Sequence, residues 1–252
     1  MSLDFTGQVV VVTGAAVGYG RVIAENFGAR GARTYALDKD ADRLWSQSFS
    51  TERVLPSLVD ITDREAVGRL IADIEAEAGP VNVLVNNAGG TLGRTFTPIE
   101  ETDFEDWDAV LNVNLNAPFA LARAVAAGMK RNRSGRIINI SSGAGFRPSM
   151  TGVQAYTSAK HALLGLTRQL AHELGPFGIA VNAVAPGLQP VSPGPERQWA
   201  GYSEEVRAGI LSRIPMRRLG TPQEIANAVM FFASDMASYV TGQILPVNGG
   251  AF

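Results

Sequence analysis

The chain contains no cysteine, which excludes disulfides, thiol nucleophiles and Cys-ligated metals. It has only two histidines, His161 and His172. If both sit on one helix, eleven residues of rise separate them by roughly 16 Å, too far to share an ion. No metal site is therefore expected. Lysine is also scarce, at Lys39, Lys130 and Lys160 alone. No run approaches the roughly 20 apolar residues of a membrane span, and Met1 to Gly7 carries no basic, apolar leader pattern. A cytoplasmic protein is expected. Like charges form no block, and the formal net charge is only −2, so neither nucleic acid nor an anionic membrane is indicated as a partner.

The sequence has 252 residues, 46% of them hydrophobic and 18% charged, a balance suited to a packed globule. Short β-branched runs alternate with longer helical patterns. Strands are predicted at Val9–Val12, Thr34–Leu37, Val54–Val59, Val81–Val85, Arg136–Ile140, Ile179–Val184 and Ile244–Val247. Helices are predicted at Arg21–Arg30, Arg64–Ala78, Phe104–Arg131, Tyr156–Leu174 and Pro222–Ala233. Continuous apolar strands alternating with helices point to an α/β fold, a parallel sheet covered on both faces. The stretch from Leu188 to about Tyr202, with Pro190, Pro193 and Pro195, reads as an irregular lid.

Immediately after the first strand comes Thr13-Gly14-Ala15-Ala16-Val17-Gly18-Tyr19-Gly20, then a helix. Glycines there permit a tight turn and close approach of a pyrophosphate to the backbone, and the helix start supplies free N–H groups and a positive dipole end. Asp38 ends the second strand, placed to accept hydrogen bonds from an adenosine ribose and to repel a 2′-phosphate. No Arg or Lys lies between Gly14 and Gly20, so NAD(H) is expected in preference to NADP(H), with Lys39 beside Asp38 as the one opposing feature.

Tyr156-Thr-Ser-Ala-Lys160 is the sharpest signal. Spacing of four places both side chains on one helical face. With five tyrosines and three lysines, the pattern would arise by chance only about 0.06 times. A phenol, ordinarily near pKa 10, becomes a usable acid/base when an ammonium stabilises its phenolate.

With these motifs in order, followed by Asn86-Asn87-Ala88-Gly89, Asn114, Ser142 and Pro186-Gly187, nearly the whole chain resembles the short-chain dehydrogenase/reductase family, in its branch of about 250 residues. The resemblance implies one Rossmann-like doubly wound domain over residues 1–252, with a seven-stranded parallel sheet, helices on both faces and a substrate lid at about 188–215. It implies that Tyr156 is the general acid/base, that Lys160 lowers its pKa and holds the nicotinamide ribose, that Ser142 bonds the substrate oxygen, and that Asn114 holds a relay water. Gly14, Gly18, Tyr19, Gly20, Asp38, Asp60, Ile61, Asn87, Ala88, Gly89, Pro186 and Gly187 would line the cofactor. Arg94, Arg147, Gln154, Leu188, Gln189 and Trp199 are candidates for the substrate pocket. The implied reaction moves a hydride between NAD and a secondary alcohol or its ketone. An NADPH-dependent 3-oxoacyl-thioester reductase and a sugar or polyol dehydrogenase are the alternatives, and a non-catalytic NAD-binding sensor the remote one. A homotetramer is expected.

The chain departs from the family pattern in places. Tyr19 replaces an aliphatic residue, and either packs over the cofactor or faces the sheet. Fourteen positions separate Ser142 from Tyr156, one more than usual. Val191 stands where a threonine often bonds the nicotinamide amide.

Overall fold

A computed structural model describes residues 3–46, 48–191 and 193–251. In chain order it contains β1 (Val9–Thr13), α1 (Gly18–Ala29), β2 (Arg33–Asp38), α2 (Ala41–Ser46), β3 (Val54–Leu58), α3 (Arg64–Ala78), β4 (Val83–Asn86), α4 (Phe104–Leu111), α5 (Ala117–Asn132), β5 (Gly135–Ile140), α6 (Gln154–Leu174), β6 (Ile179–Pro186), α7 (Pro193–Gly201), α8 (Glu204–Leu211), α9 (Pro222–Ala233) and β7 (Ile244–Val247).

The strands form one seven-stranded sheet in the order β3-β2-β1-β4-β5-β6-β7, parallel throughout, as the alternating pattern implied. Side-chain alternation explains why the strands read as unbroken apolar runs. Val10 and Val12 of β1, with Val83 and Val85 of β4, pack with Ile23 and Phe27 of α1 and with Ile225 and Val229 of α9. Val9 and Val11, with Leu84 of β4 and Ile137 of β5, pack on the other face with residues of α3 and α5, among them Ile71 and Leu121. Both faces are buried, so every position of β1 must be apolar or satisfied. Fully burying one such side chain is worth about 1.5–3 kcal/mol.

β1 pairs with β2 on one side and β4 on the other: Val10 is in register with both Thr34 and Val83. The order of strand addition reverses here, from β1-β2-β3 outward on one side to β4-β5-β6 on the other, and the crevice beyond the carboxyl ends of β1 and β4 is where an open α/β sheet takes its ligand. Local chemistry fixes the helix starts nearby. Asp63 accepts from the backbone N–H groups of Glu65 and Ala66 to cap α3, and a capping box of Thr221 and Glu224 starts α9.

Three expectations change. The helix predicted over Phe104–Arg131 is interrupted by a π turn at Asn112–Asn116. Pro118 has no N–H to donate back to the Asn114 carbonyl, and its ring crowds that turn, so the helix widens there. The stretch expected to be irregular from Leu188 to about Tyr202 contains α7, a short helix that proline and glycine obscured, and a second short helix, α8, follows it. Finally, β6 runs on to Pro186, carried by pairing with β7 at Ala185↔Pro246 and Pro186↔Val247. No helix among the described residues is long and apolar enough to cross a membrane.

Candidate active site

A cleft of about 820 Å³ runs along the carboxyl ends of the strands, from Asp38, Lys39 and Asp60 at one end to Ser142, Tyr156 and Lys160 at the other. Its floor begins at the glycine turn. A Cβ on Gly20 would collide with the Gly14 carbonyl, and one on Gly14, at φ 65°, would meet the Cα of Ala88 at 2.8 Å. Asn87 locks the turn from β4: its Nδ2 donates to the carbonyls of Thr13 (2.8 Å) and Gly14 (3.1 Å). No side chain caps α1, whose preceding residue is Val17 and whose first turn carries no acid. Uncapped amides at a helix start, opening on a glycine-walled cleft, fit a dinucleotide pyrophosphate.

The catalytic end is built from β5, α6 and the π turn. Ser141 continues the β5 register and turns its hydroxyl toward the Lys160 carbonyl (3.4 Å), into the core. Ser142 is extended, at φ −168°, and turns the other way; its Oγ accepts from the Ala144 N–H (3.1 Å). Ser142 and Tyr156 both line the cleft, and the serine hydroxyl is near enough to the phenol to influence its titration. Burial pushes the Tyr156 pKa above its ordinary 10, and the Ser142 hydroxyl, which favours the phenolate, opposes that rise.

Lys160 lies one turn along α6 and is buried. Its ammonium donates to the Ile140 carbonyl (3.0 Å) and sits 5.7 Å from the centre of the Tyr156 ring. Burial pulls its pKa from 10.5 down to about 8. The resemblance implied an ammonium that lowers the phenol pKa. Here the ammonium is anchored on a backbone carbonyl, and burial is the larger influence on both groups.

Asn114 stands behind this pair. Its Nδ2 donates to the carbonyls of Gly90 and Val110 (both 2.8 Å), and its Oδ1 accepts from the Gly90 N–H (2.9 Å). A Cβ added to Gly89 would lie 2.5 Å from Asn114 Oδ1 and 3.4 Å from Lys160 Nζ. Gly89 thus lets Asn114 and Lys160 approach the same point. The π turn is what aims Asn114 there; such turns are frequent at functional sites.

Of the remaining residues expected at the cofactor, Gly14, Gly18, Tyr19, Asp38, Asp60, Ile61, Asn87, Ala88, Gly89, Pro186 and Gly187 line the cleft, while Gly20 lies behind Gly14. Tyr19 lines the cleft and packs against the core beneath α1, and burial raises its phenol pKa.

The substrate candidates divide. Arg147, Leu188 and Gln189 line the cleft. Arg147 donates to the Ala251 carbonyl (3.0 Å), and Gln189 is buried with no hydrogen bond to its Oε1 among the described residues. The other three do not reach the cleft. Arg94 is held by Asp106 through two bonds (2.6 and 2.9 Å). Gln154 donates to the Thr97 carbonyl (2.7 Å). Trp199 packs edge-on against Tyr202 within the roof. Sequence reasoning missed Met150, Ile210, Arg213 and Ile214, all of which line the cleft. The spacing Ile210-x-x-Arg213-Ile214 is the signal that could have found the last three.

Comparison with known proteins supports an oxidoreductase. Residues 14–251 match the family model described as enoyl-(acyl carrier protein) reductase. The chain is 39% identical over 254 residues to the 3-oxoacyl-[acyl-carrier-protein] reductase FabG of Escherichia coli, covering 99% of each. It is 38% identical over 252 residues to the (2S)-[(R)-hydroxy(phenyl)methyl]succinyl-CoA dehydrogenase subunit BbsD of Thauera aromatica, covering 98% of each. Among solved structures, a candidate NAD(P) dependent gluconate 5-dehydrogenase from Beutenbergia cavernae superposes with a TM-score of 0.88 at 36% identity, covering 99% of this chain and 98% of that one, and it holds NADP at low occupancy.

That bound NADP corrects the expectation that NAD(H) is preferred over NADP(H). The expectation rested on Asp38 as an acid aimed at the ribose; in the structure each of its oxygens also accepts from backbone, Oδ2 from the Ala16 N–H and Oδ1 from the Asp40 N–H, both at 3.0 Å. Asp38 braces the two turns around it. Lys39, exposed at the same end of the cleft, pairs among the described residues with Asp60 at 3.6 Å.

Proposed function

The chain belongs to the short-chain dehydrogenase/reductase family, and on that premise we propose that it reduces the 3-oxo group of an acyl thioester with NADPH. The observation that carries this reading is the grouping of Ser142, Tyr156 and buried Lys160 at the far end of a cleft whose near end presents Lys39. When bound, NADPH supplies the hydride. Lys39 would hold the 2′-phosphate, and the uncapped start of α1 would hold the pyrophosphate. Ser142 donates to the carbonyl oxygen and holds it against Tyr156, so negative charge developing on that oxygen is met by a preorganised donor. Tyr156 gives the proton. Its raised pKa keeps the phenol protonated at neutral pH, the state an acid needs in the reductive direction. Lys160 would resupply that proton, itself reprotonated from solvent through a water held at Asn114, on the side away from substrate.

Two thioester-specific relatives, one acting on an acyl carrier protein and one on a CoA ester, support the substrate class. The gluconate 5-dehydrogenase neighbour supports a second reading, oxidation of a sugar acid. Acetoacetyl-CoA with NADPH and gluconate with NADP, assayed side by side, separate the two. Turnover of gluconate alone would reject the thioester reading.

We also assign residues 188–215 to a substrate lid, and the faces of α4–α5 and α6 to a homotetramer interface. Phe104 and Phe119 stand 84% and 50% exposed on the first pair. A light-scattering mass near the 26.7 kDa of one chain would refute the tetramer. NADPH is an intracellular reductant, and the cytoplasm is the proposed place of action.

A further inference from the structure

Charge is divided unevenly along the cleft. Among the described lining residues, the carboxylates are Asp38 and Asp60, both at the adenosine end, where Lys39 pairs with Asp60. The catalytic end has Arg147, Lys160 and Arg213 and no lining carboxylate. This excess of positive charge stands in a chain whose formal net charge is −2. Lys160 is anchored on the Ile140 carbonyl and Arg147 on that of Ala251. Arg213 differs from both.

Four arginines lie from α8 to the start of α9, Arg207 within the helix and three beyond it. Arg207 donates to the Trp199 carbonyl (3.0 Å), Arg217 to that of Ser212, and Arg218 to both oxygens of Glu224 (3.0 and 2.6 Å). Arg213 has no side-chain hydrogen bond or ion pair among the described residues, and it is the one of the four that lines the cleft. Its position follows from local structure. The Arg213 N–H donates to the Ile210 carbonyl and the Ile214 N–H to that of Leu211, each at 3.1 Å, so the turn continues past α8. Ile210, Arg213 and Ile214 then share one face, and all three line the cleft. An apolar face with one unpaired guanidinium, over a site without acids, is complementary to a ligand with an apolar body and an anionic group.

We infer that Arg213 binds an anionic group that the substrate carries away from its reacting carbon. The inference rests on the thioester-reductase reading and deepens it. Two anions fit that reading: a phosphate on the thioester's carrier arm and a carboxylate on the acyl group.

The test uses the NADPH-loaded protein as wild type, Arg213→Gln and Arg213→Glu, with two matched pairs of substrates. Acetoacetyl-pantetheine and acetoacetyl-4′-phosphopantetheine differ by the phosphate. The N-acetylcysteamine thioesters of acetoacetate and of 3-oxoglutarate differ by a carboxylate. In wild type, kcat/KM should favour the charged member of at least one pair by roughly tenfold; Arg213→Gln should abolish that preference and Arg213→Glu invert it. A preference in the phosphate pair assigns the carrier arm, and one in the carboxylate pair assigns the acyl end. No preference in wild type, a preference unchanged by Arg213→Gln, or a raised Kd for NADPH in that variant would overturn the inference.

If wild type reduces no thioester, the functional reading fails separately, and the arginine is judged by binding. Titrations of 4′-phosphopantetheine, pantetheine and glutarate into the NADPH-loaded protein then decide it. Either anion bound roughly tenfold tighter than pantetheine, and only when Arg213 is present, upholds the inference; no such difference overturns it.

Discussion

The floor of the cleft and its roof are held by different means. Tyr156, Lys160 and Asn114 project from a 21-residue helix and from a π turn braced by Pro118, and Lys160 and Asn114 are buried. Their polar atoms are fixed by backbone partners at 2.8–3.0 Å. The roof consists of α7 and α8, nine and eight residues long, and α8 has no buried residue. It is tied by arginines donating to carbonyls of its own segment, such as Arg207 to Trp199. Local opening costs least where few apolar contacts are lost, so the roof should move while the floor does not. The chemistry is thereby separated from substrate admission: changes in the floor should alter kcat, and changes in the roof should alter KM.

The largest expected effect lies in the floor. Tyr156→Phe removes the proton donor but keeps the ring and its packing. Turnover should fall by about 10²–10⁴-fold, the range for a general acid, while NADPH binding by fluorescence titration stays within a few fold. A matching loss of cofactor affinity would show that Tyr156 holds the dinucleotide rather than the proton, and the division between floor and roof would lose its chemical meaning.

The same division explains what could be read from the sequence. Tyr156 and Lys160 were legible because four residues on a regular helix fix a shared face whatever surrounds them. The seven strands were legible because burial on both faces demands apolar runs. The π turn was not, since only Pro118 hinted at it and proline is also tolerated in the first turn of a helix. Arg94, Gln154 and Trp199 were misplaced because nearness to a motif along the chain does not say which way a side chain turns; Asp106, Thr97 and Tyr202 decide that, and they are tertiary partners. The cofactor preference failed for a similar reason. Asp38 sits where a ribose-binding acid would, but its carboxylate is engaged by two backbone N–H groups that no residue spacing reveals.

Buried Lys160 offers a second test of the floor, through stability. Burial lowers its folded pKa to about 8 from an ordinary 10.5. Below pH 8 both states hold the proton, and the cost of burying the charge is complete. Between about 8 and 10.5 the unfolded chain still binds a proton that the folded chain has released, so this group's contribution to stability rises with pH. Lys160→Met lacks the titration. Relative to that variant, wild type should gain stability between pH 7 and pH 10, by up to about 3 kcal/mol, in urea unfolding without cofactor. An unchanged difference between the two pH values would mean that Lys160 is solvated and that the floor is as open as the roof.

In the roof the expected effects are smaller and of another kind. Arg207→Ala removes the bonds from α8 to the end of α7 and the guanidinium lying 5.8 Å from the Trp199 ring. Loosening of about 1 kcal/mol, the worth of one hydrogen bond, should raise KM by roughly fivefold with little change in kcat. A fall in kcat alone would mean that roof and floor are coupled. The smallest effect is expected at Arg94. Its pair with Asp106 is partly exposed, and such pairs contribute about 0–1 kcal/mol. Arg94→Ala should therefore shift Tm by at most a few degrees and leave kcat and KM unchanged, because the side chain belongs to neither roof nor floor. A rise in KM in this variant would place residues 91–106 in the substrate wall and require the roof to be redrawn to include them.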